Sequence, residues 1–250
     1  AQGLPYGFIT VSLVAWLAEQ GLTTDATGQL LFWAGVPWSL KFLWGPVIDR
    51  YTLASMGRRR PWIIVAQGMM AITVLAMGLL DDVANQLVAL SWFICLHNVF
   101  NSMQDVAVDA LAVDILKDDE RGKANGLMWG SKYLGTSVGG AGIATVLAWG
   151  GFQLALVVQV VILLAIMCLP LAVRERPGEK RLPWTQGAAD PAVLASRPES
   201  MGGVVRLLLK AFSLRSAFVG AILAITCSIP FGISGAVSPV FFTQELKWSS

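Results

Sequence analysis

Seven apolar blocks, at residues 4–17, 29–48, 62–80, 87–113, 124–149, 152–173 and 217–242, take up most of this sequence, and all but the last two are joined by short connections. The hydrocarbon core of a bilayer asks for about 20 predominantly apolar residues per helix. No water reaches that core, so each backbone N–H and C=O in such a block must bond within its own helix. The blocks therefore predict an all-α membrane protein. Charged residues are 14% of the chain, against about 25% in a usual globular protein. The first block is short for a span, which predicts that the sequence enters it part-way along.

Orientation follows from where the positive charge lies. Arg50, Arg58, Arg59 and Arg60 follow the second block, and Lys117, Arg121 and Lys123 follow the fourth. Arg174, Arg176, Lys180, Arg181, Arg197, Arg206, Lys210 and Arg215 follow the sixth. The alternate connections carry none. Fifteen of the eighteen Lys and Arg thus fall on one side, which predicts that loops 2–3, 4–5 and 6–7 are cytoplasmic. The layout is a six-helix bundle over 1–173, a Pro- and Arg-rich cytoplasmic linker over 174–213 with a short amphipathic helix at 204–212, and a seventh span over 214–250. A lone seventh span predicts a second bundle, a missing C-terminal half that would complete the protein.

One block departs from the rest. Residues 94–114 read ICLHNVFNSMQDVAVDALAVD, and at 100° per residue Asn98, Asn101, Ser102, Asp105 and Asp109 fall on one stripe of a helix, with His97 beside it. A polar stripe in a membrane span needs a wet cavity or partner charges. Two partners are present, Lys41 in the second block and Lys132 in the fifth. At about 1.5 Å rise per residue, Lys41 lies roughly 12 Å in from Asp49, Asp109 roughly 12 Å from Lys117 and Lys132 roughly 15 Å from Lys123. These three share a depth, and with Asp105 there are four charges, at about 2.5–3.5 kcal/mol each if left unpaired. A plain salt-bridge set that fixes helix packing is one reading. Proton coupling is the other, because two acids four residues apart on one face cannot both ionise cheaply in a low-dielectric site. On that reading Asp105 and Asp109 are the proton site, Lys41 and Lys132 hold the ionised acid or an anionic solute, and His97, Asn98 and Asn101 are polar lining.

Other functions find little support. Net charge is +2 and no basic face is formed, so no nucleic-acid partner is expected. Cys95, Cys168 and Cys227 stand singly in separate spans without metal-ligand spacing, so neither metal nor cofactor is expected. The single histidine leaves nothing from which to assemble a nucleophile, base and orienting group, so catalysis is not expected.

Between the second and third blocks the chain reads Gly45-Pro-Val-Ile-Asp49-Arg50, then Gly57-Arg58-Arg59-Arg60 after an insertion at 51–56. This resembles the GxxxDRxGRR signature of the major facilitator superfamily, in which Gly45, Asp49, Arg50, Gly57, Arg58 and Arg59 would form a cytoplasmic gate. The run WSLKFLWGPVIDRYTLASMGRRRPW, with NSMQDVAVDALAVDIL and ERGKANG, is similar to the AmpG-type permeases and their acetyl-CoA-transporter relatives. That resemblance implies proton-driven import of cell-wall-derived anhydromuropeptides across a bacterial inner membrane, with a small solute, protons and the bilayer as partners. Glycoside–cation symporters also carry Gly-Arg-Arg-Arg-Pro-Trp at this place, as residues 57–62 do. A transporter-shaped scaffold that moves nothing is the further alternative. In the fifth block, Gly126/Gly130 and Gly135/Gly139 predict close helix packing. Trp33, Trp38 and Trp129 lie deep enough to be packing residues or sugar-stacking ones.

Overall fold

The computed structural model describes residues 1–191, 202, 203, 206, 209, 210 and 213–247, so the amphipathic piece expected at 204–212 lies largely outside the described residues. Within them every regular element is helical. Helix α1 spans Gly3–Glu19 with a π-type turn at Phe8–Ser12. It is followed by α2 (Thr24–Ser39), α3 (Trp44–Arg50), α4 (Arg60–Met77) and α5 (Leu87–Ile115). Then come α6 (Asp118–Ser137), which runs through a second π-type turn into α7 (Ile143–Ala172), and α8 (Arg215–Val240).

Local chemistry sets these limits. Thr23, in extended conformation, accepts from the Ala26 N–H and starts α2, with Asp25 in its first turn. Pro37 lacks the N–H that would continue the ladder, and α2 stops two residues later in a 3₁₀ turn at Lys41–Leu43. The second apolar block is therefore two helices, α2 and α3, with Lys41 at the break. Gly151, at φ 74°, folds α7 into two arms, the first ending the fifth block that α6 begins and the second forming the sixth; a side chain there would be strained. Among the described residues, two helices, Arg60–Met77 and Asp118–Ala172, are long and apolar enough by themselves to cross a membrane. Of the other blocks, the first is only the helix Gly3–Glu19, the second is cut short at Ser39, the fourth is diluted by the polar residues of α5, and the fifth and sixth run together in Asp118–Ala172.

Between membrane helices the gain comes from close packing more than from expelling water. The closest approach is α1 against α6 and the turn after it. A Cβ on Gly3 would lie 2.0 Å from the Lys132 carbonyl oxygen, one on Gly7 2.1 Å from that of Thr136, and one on Gly139 1.9 Å from that of Leu4. Ser12 Oγ donates to the Gly139 and Gly140 carbonyls at 2.7 and 2.5 Å. The expected small-residue packing thus holds for Gly135 and Gly139. Gly126 and Gly130 face open space, where an added Cβ would meet nothing within 4 Å. On the other side, α4 packs against both α5 and the second arm of α7, and α2 lies along α5. Helix α8 lies against α1 and α2, tied there by Gln244, whose Nε2 donates to the Ala18 and Leu22 carbonyls at 3.0 Å each.

Candidate functional site

On α5, residues i, i+4 and i+7 share a face, and the polar stripe resolves into two faces about 100° apart. Asn98, Ser102, Asp105 and Asp109 look toward α2, α3 and α6, whereas His97, Asn101 and Gln104 look toward α4.

The first face holds the charges. Asp105 is buried, and both lysines reach it: Lys41 Nζ lies 3.2 Å from Oδ2 and Lys132 Nζ 3.5 Å from Oδ1. The break after α2 lets Lys41 turn inward, and Lys132 arrives from the middle of α6. Gln2 at the start of α1, with its amide nitrogen turned toward the carboxylate, adds a donor to Oδ1 at 2.8 Å. The Lys132 ammonium also sits over two indoles, 5.1 Å from the Trp38 centroid and 5.0 Å from the Trp129 centroid. Trp44 Nε1 donates to Ser102 Oγ at 3.1 Å, and Asn98 Nδ2 donates to the Ala34 carbonyl at 2.9 Å, fastening α3 and α2 to α5. Asp109, one turn further on, is exposed and makes no ion pair among the described residues. So the two lysines share Asp105 alone. Of the deep tryptophans, Trp38 and Trp129 belong to this site, while Trp33 packs on Trp92 with centroids 5.3 Å apart.

His97 and Asn101 are placed differently from the expected lining. Both are fully buried, facing α4. A stripe as wide as this one spans two neighbouring helices, and sequence periodicity does not say where one neighbour ends and the next begins.

At the arginine-rich end, Asp49 is bridged by Arg58 Nη2 at 3.0 Å and by Arg59 Nη1. Arg59 Nε reaches Asp114 Oδ2 on α5 at 2.9 Å, joining the end of α3 to the end of α5. Arg50 turns aside, its guanidinium 5.7 Å from the Tyr51 ring centroid. A Cβ on Gly45 would meet nothing within 4 Å among the described residues. The insertion at 51–56 is held by Trp62 Nε1 donating to the Tyr51 carbonyl at 2.7 Å, and Gly57 closes it at φ 105°.

Three further residues that hold this end together were not among the sequence candidates. Glu175 accepts from the backbone N–H of Arg58, Arg59 and Arg60 at 3.0, 2.9 and 2.9 Å, which caps the start of α4 with a carboxylate. Arg60 donates to the carbonyls of Pro170, Leu171, Lys180 and Arg181 at 2.5, 3.1, 3.0 and 2.6 Å. Asp114 is the third. The first part of the linker, read as solvated cytoplasmic chain, is therefore folded onto the bundle, with Glu179 buried in it. The usable signal was Glu175 immediately after the sixth block, an acid where only basic residues are needed for orientation.

The family model described as Major Facilitator Superfamily matches residues 2–250. The anhydromuropeptide permease of Escherichia coli (strain K12) is 33% identical over 158 residues, covering 61% of this chain and 31% of that protein. An uncharacterized protein of Haemophilus influenzae is 34% identical over 125 residues, covering 49% of this chain and 28% of that one. The matched part of this chain thus spans about a third of the length of these relatives. No solved structure matches.

Proposed function

This chain belongs to the major facilitator superfamily, and we propose that it is the first half of a proton-coupled importer that carries a cell-wall-derived anhydromuropeptide, or a similar polar solute, into the cytoplasm across a bacterial inner membrane. It is an all-α membrane transporter chain of the AmpG-like permease kind. The observation that carries the finer reading is the buried Asp105 shared by Lys41 and Lys132. With two cations on one carboxylate, ionised Asp105 is neutralised and both lysines are occupied. Protonation removes the negative charge and loosens its hold on two ammonium groups, which can then meet an anionic or hydroxyl-rich solute. Asp109, exposed one turn along, is the second carboxyl of the proton site and the first to exchange a proton with water.

Trp38 and Trp129 flank Lys132 as flat apolar surfaces, suited to a sugar ring. The Asp49–Arg58–Arg59–Asp114 cluster with Glu175 and Arg60 closes the cytoplasmic end. The opposite wall of the cavity would come from a second bundle. The test is uptake of an anhydromuropeptide into liposomes holding the whole transporter, driven in turn by a proton and by a sodium gradient. Proton-driven uptake supports the reading. Sodium-driven sugar uptake would favour a sugar–cation symporter, and no counterflow with any solute would favour a scaffold.

A further inference from the structure

The α4–α5–α7 interface contains polar groups that the charge site does not use. Gln67 and Thr73 come from α4, His97, Asn101 and Gln104 from α5, and Gln159 from the second arm of α7; all are buried. Three contacts fix their order. Gln104 Nε2 donates to Gln67 Oε1 at 2.5 Å, Gln67 Nε2 donates to the Leu163 carbonyl at 2.7 Å, and Thr73 Oγ1 lies 3.0 Å from His97 Nδ1. Asn101 lies between Gln104 and His97 on the same face of α5, and Gln159 lies one turn from Leu163. The polar groups therefore form a seam inside the bundle, roughly two helical turns long on α5. Toward the arginine-rich end, Gln67 and Gln104 line a cavity of about 620 Å³ together with Arg60, Lys132, Arg174 and Glu175.

Both amide atoms of Asn101, both of Gln159, Gln104 Oε1 and His97 Nε2 are buried without a partner among the described residues. A buried polar atom left so costs about 1–3 kcal/mol. Six of them in one seam are therefore a strong demand for a ligand that both donates and accepts. The histidine's role there follows from its neighbour. Thr73 Oγ1 has the Met69 and Met70 carbonyls at 2.9 Å each, so its hydrogen is committed to a carbonyl and its oxygen accepts from Nδ1–H. Nε2 is then the bare, proton-accepting nitrogen.

The geometry points to a hydrated site: a file of ordered waters that starts where the Gln67–Gln104 pair lines the cavity, passes alongside that pair, is held by Asn101 and Gln159, and ends on His97 Nε2. Buried waters make about three hydrogen bonds each to otherwise unsatisfied groups, and the two amides supply donors and acceptors in equal number. Past His97 the interface is apolar, with Val74, Met77, Leu90 and Ile94 all buried, so the file is closed at that end. The file gives a proton from the arginine-rich side a route to His97 that does not pass Asp105. The titratable and charged groups facing this route are the Ala1 amino group ahead of α1, Arg60 on α4, His97 itself on α5, Lys132 on α6, and Arg174 and Glu175 after α7, all but His97 at its mouth. The inference is independent of which solute moves.

Hydroxyl-radical footprinting of the reconstituted transporter tests it, because radicals born on bound water label side chains that bulk solvent never reaches. Met70 and Met77 are equally buried on α4, but Met70 lies between Gln67 and Thr73 and Met77 beyond His97 in the apolar part. A hydrated seam oxidises Met70 several-fold faster than Met77, and Gln159→Leu brings Met70 down to the Met77 rate. Equal protection of the two methionines in the unsubstituted protein would overturn the proposal, as would a rise in melting temperature for Gln159→Leu, the sign of a dry and unsatisfied amide. If Gln159→Leu fails to fold, the Met70/Met77 ratio in the unsubstituted protein still decides.

Discussion

Lys132 places its ammonium 3.5 Å from Asp105 Oδ1 while lying over the Trp38 and Trp129 rings. Lys41 reaches the other oxygen of the same carboxylate, but its side chain is 47% exposed. The two lysines are thus unequal partners. Lys41→Met is expected to lower stability by about 1 kcal/mol or less, as for an exposed ion pair. Lys132→Met is expected to cost more, because it also removes two cation–π contacts of about 0.5–2 kcal/mol each. Adding Asp105→Asn to Lys132→Met should restore part of the loss by removing a buried carboxylate that has lost a partner. Thermal unfolding of the four detergent-solubilised proteins measures this.

Glycines on α6 and in the turn after it that the sequence spaces alike should behave in opposite ways. Gly139→Ala drives a Cβ into the Leu4 carbonyl and should separate α1 from α6, with a loss of several degrees in melting temperature or failure to assemble. Gly130→Ala meets open space and should stabilise α6 by up to about 1 kcal/mol through helix propensity. A comparable loss for both would mean that the α1–α6 contact is not where the structure places it.

Glu175 holds three backbone N–H groups at the start of α4, so Glu175→Ala should cost about 1–3 kcal/mol and speed proteolysis of 174–190. Gly57 faces the same carboxylate: a Cβ there would stand 2.5 Å from Glu175 Oε2. Gly57→Ala should therefore be destabilising alone and less so in the Glu175→Ala background, although strain at φ 105° remains in both. Strictly additive losses would argue against the contact.

Burial pushes the Glu179 carboxyl above its ordinary 4.5, an effect opposed by the backbone N–H of Arg176 and reinforced by Glu175. The folded state then binds this proton more tightly than the unfolded state does. The contribution is complete below pH 4.5 and is lost as pH rises from there through the raised value. Proteolysis of the linker should accelerate across that window, and Glu179→Gln should flatten the profile.

The helical class, the family and the grouping of Lys41, Lys132 and Asp105 were legible because each rests on residue type at helical spacing. Shared depth along three spans put both lysines level with Asp109, and the structure seats them one turn away on Asp105. The division of α5 into two faces was not legible, since His97 and Asn98 are adjacent in sequence yet lie about 100° apart around the helix, and only the positions of α2 and α4 decide which face each joins. The break at Lys41 had a signal in Pro37. The docking of Glu175 and Glu179 had almost none, because an acid in a Pro-rich stretch looks solvated until a row of free N–H groups is found opposite it.

The most direct test of the central claim is proton-driven uptake of an anhydromuropeptide by liposomes holding the whole transporter, with Asp105 and with Asp105→Asn. The account predicts that Asp105→Asn loses accumulation driven by a proton gradient while retaining solute exchange at equal pH. Unchanged proton-driven accumulation in Asp105→Asn would contradict it.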